Sequence, residues 1–76
     1  MNFVDLIFKA YETKAKIRLV LTDKIVCDGV YVVDCNNNDF EINASDELIQ
    51  EAKNKGRARI CLLDYDEIES VELLDK

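Results

Sequence analysis

The chain has 76 residues, of which ten are basic, sixteen acidic and none histidine, giving a net charge of −6 with 49% hydrophobic residues. One domain of this length buries only ~60% of its unfolded surface, so its core is thin and a partner surface is a natural supplement. Without histidine, Ser-His-Asp triads, Cys-His dyads and the usual Cys/His zinc sites are excluded, and a net negative chain is poorly suited to holding a phosphate backbone.

Residues 2–13 read as a helix. Asn2 suits an N-cap and Asp5 lies in the first turn, where a carboxylate meets the helix dipole. Phe3, Leu6, Ile7, Ala10 and Tyr11 recur at helical spacing, and Val4 and Phe8 widen the stripe. From Lys16 the period becomes two: Ile17, Leu19 and Leu21 alternate with Arg18 and Val20, as in a half-buried strand. Thr22-Asp23-Lys24 is a tight turn. Ile25 to Asp34 reads as one long second strand, bent at Gly29, with Val30, Tyr31, Val32 and Val33 covered on both sides. Asn36-Asn37-Asn38-Asp39 is a loop, Phe40–Ile42 a short third strand, and 46–55 a short helix capped by Ser45 or Asn43 and closed by Gly56. Arg57 to Leu63 alternates again, with Ala58, Ile60 and Leu62 on one face. Asp64-Tyr65-Asp66 turns the chain into a last strand carrying Ile68, Val71 and Leu73. Successive strands with tight turns imply an antiparallel meander, and a closed barrel would remove its edges.

In this order of elements the chain resembles the Sm-like family, with other SH3-like small barrels as near relatives. The resemblance rests on the hairpin Lys16–Lys24 with Cys27-Asp28-Gly29-Val30, on Asp34-Cys35-Asn36-Asn37-Asn38, similar to a D-x-x-x-N signature, and on Ile60–Leu63 followed by Ile68 and Val71. The Gly29–Asp34 spacing is one residue short of the family pattern, and only Lys55-Gly56 matches its second signature. The resemblance implies mainly β structure with α: an N-terminal helix (1–14), then a five-stranded, strongly bent antiparallel barrel (15–76) with a short helix inserted between strands 3 and 4.

It also implies candidate sites. In the family's RNA binders an Asn and a basic residue before glycine hold a base and its phosphate; here these are the Asn36–Asn38 loop, Lys55 and Gly56, with Arg57 adjacent. An amide reads a base edge and a loop cation meets phosphate, although asparagines in such a run are also ordinary turn residues. The family's assembly pairs its fourth strand with the fifth of the next subunit. Residues 57–63 and 67–74 would do so here, placing Arg59, Cys61, Leu63, Val71 and Leu73 at an oligomer interface.

Other constellations are weaker. Asp34, Asn36 and Asn38 match the first ligands of a calcium loop, but Asp39 replaces its glycine and Ser45 its glutamate. Lys53, Lys55, Arg57 and Arg59 make a basic strip, of which only the last two fall on a strand. Residues 34–76 carry twelve acidic and five basic groups, concentrated at the C-terminal end, where acids solvate a strand edge or meet a basic partner. Cys27, Cys35 and Cys61 are odd in number and lack a CxxC spacing, which suits reduced strand cysteines. Asp5 interrupts the first apolar stretch, so a signal peptide or membrane span is not expected, and a cytoplasmic setting is. These features point to a non-catalytic, cofactor-free module that binds protein and associates with itself. An RNA-binding protein and a small acidic inhibitor of a nucleic-acid enzyme are the alternatives.

Overall fold

The computed structural model describes residues 2–74. Helix α1 spans Phe3–Thr13, with the Asn2 Oδ1 accepting from the Asp5 N–H at 2.9 Å. That bond satisfies one of the donors orphaned at a helix start. The helix ends at Lys14, whose φ of +56° is left-handed and whose N–H donates to the Ala10 carbonyl. Of its apolar stripe, Ile7 and Ala10 are fully buried.

Strand β1 (Ile17–Leu21) is the middle of the first sheet, flanked by β2 (Val26–Val30) and β6 (Ile68–Leu73). Its alternation is read as expected: Ile17, Leu19 and Leu21 are buried while Arg18 faces out between Asp28 and Glu72. The second sheet holds β3 (Val32–Cys35), β4 (Asp39–Ile42) and β5 (Leu62–Asp64) in that order. Helix α2 (Asp46–Asn54) joins β4 to β5, with the Ser45 Oγ accepting from the Leu48 N–H at 3.1 Å. A 3-10 turn, Tyr65–Glu67, joins β5 to β6. The core lies between the sheets. Phe40, Ile42 and Leu63 of the second meet Ile17, Leu19 and Leu21 of the first, and Ile7 and Leu48 come in from the helices.

This is not the expected five-stranded closed barrel. Six strands form two three-stranded sheets, and no strand pairing among the described residues closes one onto the other. The expected second strand is divided at Tyr31: Val30 pairs with Ile17 in the first sheet, Val32 with Ile42 in the second. Two features make the break. Gly29 adopts a φ of +72°, which disfavours any residue with a Cβ. Asn43 then takes hold of Tyr31 on both sides, its Oδ1 accepting from the Tyr31 N–H at 2.6 Å and its own N–H donating to the Tyr31 carbonyl at 3.1 Å. The Asn43 side chain thus occupies the Tyr31 N–H, and the Asn43 backbone the Tyr31 carbonyl, that a ladder continued from the first sheet would use. Val30–Val33 are not covered on both sides either. They alternate, with Tyr31 37% and Val33 46% exposed.

The expected strand at 57–63 is likewise reduced to Leu62–Asp64. Ile60 is buried, Leu62 is 40% exposed and Leu63 is fully buried, so the period of two fails within the segment. The residues before Leu62 are held by other means. Arg57 is anchored by acidic side chains, and the Cys61 carbonyl accepts from the Ile42 N–H.

Candidate functional site

The Asn36–Asn38 loop is a self-contained turn. The Asn36 Oδ1 accepts from the backbone N–H groups of Asn38 and Asp39 at 2.7 and 3.0 Å, and its Nδ2 donates to the Asp39 carboxylate at 3.0 Å. The Tyr65 hydroxyl donates to the Asn36 carbonyl at 2.6 Å, while the Tyr65 ring packs on Phe40 with centroids 5.2 Å apart. The Asn36 amide is therefore occupied by turn chemistry; the Asn38 side chain is exposed beside it.

Arg57 also has structural partners. Its Nε donates to Asp23 at 2.9 Å, and its Nη1 donates to Glu67 at 2.7 Å and to the Arg59 carbonyl at 3.3 Å. The side chain is only 13% exposed. Glu67 in turn accepts from the Asp64 N–H at 2.8 Å. One guanidinium thus ties the β1–β2 turn, the segment after α2 and the 3-10 turn together. Burial pushes the Glu67 carboxyl up, but the Asp64 N–H and the Arg57 charge outweigh it and hold it below the usual value. Burial likewise opposes the charge on Arg57, and Glu67 and Asp23 outweigh that. Lys55 faces Glu51 one turn back at 3.6 Å, and Gly56 has a φ of +85° that suits glycine at a helix end. Among the described residues, no hydrogen bond or ion pair joins the Asn36–Asn38 turn to Lys55 or Arg57.

The residues named for an oligomer interface are scattered in exposure. Arg59 is exposed, Cys61, Val71 and Leu73 are half-buried, and the Leu63 side chain is wholly inside the core. Cys27 is buried, and burial pushes its thiol up to about 11. All three cysteines are free thiols. No described helix is long and apolar enough to cross a membrane.

Two surfaces stand out that residue patterns alone did not single out. The first is a groove of ≈ 570 Å³ between the end of α1 and the start of β3, lined by Tyr11, Lys14, Tyr31, Val32, Val33 and Asn43. Tyr11, Tyr31 and Val33 are three of the five large hydrophobic side chains that the described residues leave exposed. The Lys16 ammonium sits 5.8 Å from the Tyr31 ring centroid, within cation–π range. The second is the outer face of the β3–β4–β5 sheet. There Asp34 lies directly across from Glu41, and Asp39 from Asp64. Like charges in direct cross-strand register are destabilising, and none of the four is in an ion pair among the described residues. Leu62, across from Glu41 on the edge strand β5, adds an exposed apolar side chain to this face. The uninterrupted run Val30–Val33 was the available sequence signal for the groove, because a strand with only one face buried must expose half of such a run.

No family model, curated protein or solved structure matches the chain.

Proposed function

We propose that the protein is a non-catalytic binding module that acts through protein–protein contacts and associates with itself. The observation that carries this reading is the convergence of Tyr11, Tyr31 and Val33 on a single groove. Scattered exposed apolar side chains are ordinary on a small domain; a contiguous patch with polar rims is characteristic of a contact surface. Two tyrosines suit such a role, since each offers a large rigid apolar area with few rotatable bonds and a polar tip. A thin core adds to this, because a chain this small gains comparatively much from surface buried against a neighbour.

Dilution followed by amide NMR tests the reading. Resonances of Tyr11, Tyr31 and Val33 are expected to shift with protein concentration while those of the core strand β1 stay fixed. Spectra unchanged from the most dilute to the most concentrated sample would refute self-association.

A further inference from the structure

We propose that the occupant of the Tyr11–Tyr31–Val33 groove is a second copy of this chain, presented by the acidic outer face of its β3–β4–β5 sheet. The inference rests on the self-association reading and adds the surfaces involved. Each chain carries both halves of a complementary pair. One half is apolar and cationic: the groove, with Lys14 in its wall and Lys16 over the Tyr31 ring. Neither lysine is in an ion pair among the described residues. The other half is acidic with an apolar flank, Asp34 and Glu41 being opposed across β3 and β4 and Leu62 lying beyond Glu41 on the edge strand.

The two halves abut. The register of β3 against β4 shifts between Val32 and Asp34, leaving Val33 as the extra residue of a bulge. A bulge re-aims side chains, and here two successive residues are both exposed: Val33 in the groove wall and Asp34 in the acidic row. Surfaces that neighbour one another on a single strand can be joined by a twofold axis, groove to acidic face and acidic face to groove, which is the commonest closed arrangement of soluble oligomers. The arrangement also gives the opposed carboxylates a counter-charge that none of the described residues supplies in an ion pair. Lysine in the left-handed cap position at 14 fits as well: glycine would adopt that φ with less strain, but would remove the cation from the groove.

The test uses two doubly substituted full-length chains, Lys14→Glu/Lys16→Glu and Asp34→Lys/Glu41→Lys, followed by sedimentation velocity. Each alone is expected to weaken self-association about tenfold or more, because like charges then meet across the contact. An equimolar mixture is expected to restore it as a heterodimer, since the acidic groove then faces the lysine row and the acidic row faces the native groove. Recovery on mixing also demonstrates that both variants are folded. If wild-type association persists unchanged in both variants, the proposed surfaces are wrong although self-association stands. If both variants lose association and mixing does not restore it while both melt cooperatively, the pairing of these two faces is wrong. A wild-type chain that remains monomeric overturns this inference together with the reading on which it rests.

Discussion

Replacing Arg57 by methionine keeps an apolar stem of similar length but removes the guanidinium that holds Asp23 and Glu67. The Arg57 side chain is 13% exposed, against 40% for Asp23 and 32% for Glu67. Fully exposed ion pairs are worth ~0.2–1 kcal/mol, whereas hydrogen bonds to charged groups reach ~1.5–3 kcal/mol. With one partner nearly buried and two half-exposed, the loss is about 1–3 kcal/mol, and each kcal/mol lowers the melting temperature of a domain this size by roughly 4–8 °C. The effect has a pH signature. The Glu67 carboxyl titrates below its ordinary value in the folded protein, so its contribution is fully present above the unfolded value of ~4.3 and is lost as pH falls through the folded value. Urea unfolding at a series of pH values reads it directly. The gap between wild type and the Arg57→Met variant should be full at neutral pH and narrow in acid. A variant as stable as wild type at neutral pH, or a gap of constant size into strong acid, would refute the network as described.

Three further outcomes follow from the same geometry. Glu41→Gln removes one of two directly opposed carboxylate pairs and should raise monomer stability by ~0.2–1 kcal/mol in chemical denaturation; destabilisation would show that Glu41 has a favourable partner. Asn43→Ala deprives the Tyr31 N–H of its acceptor at the junction of the two sheets. Because both residues are exposed, water replaces part of the bond, and the expected loss is ~0.5–1.5 kcal/mol, with hydrogen exchange accelerating at Tyr31 before the core of β1. In alkali, burial raises Cys27 from 9.0 to about 11, and burial followed by the nearby Cys35 and Asp39 raises Tyr65 from 10.0 to about 12. Both groups keep their protons longer when folded, so stability is intact below pH 9 and declines as pH rises through the folded values. Thiol titration of the native protein should leave Cys27 unreactive until it unfolds.

Local elements were legible in the sequence because their signals are short-range. Asn2 and Ser45 do cap the helices, and Ile17, Leu19 and Leu21 do alternate into the core. The sheet architecture was not legible, because it depends on contacts between distant residues. The bend at Gly29 was legible, but the division of the second strand also needs Asn43, twelve residues from Tyr31, and an asparagine there reads equally well as a helix cap. The shortening of the strand after Gly56 depends on Arg57 finding Asp23 and Glu67, a pairing that no local periodicity reveals. The same ion pairs account for a residue that reads as a nucleic-acid contact in sequence and as an internal tie in three dimensions. The groove escaped notice for a related reason. Tyr11 belongs to the apolar stripe of α1, but at 43% exposure it lies on the margin that meets Tyr31 rather than the core.

Self-association is the claim on which the functional reading stands, and sedimentation equilibrium of the wild-type chain from the micromolar to the millimolar range tests it most directly. A weight-average mass that rises with concentration towards twice that of the 76-residue chain, and falls again when salt is added, is the predicted result. A monomer mass independent of concentration and of salt would contradict it.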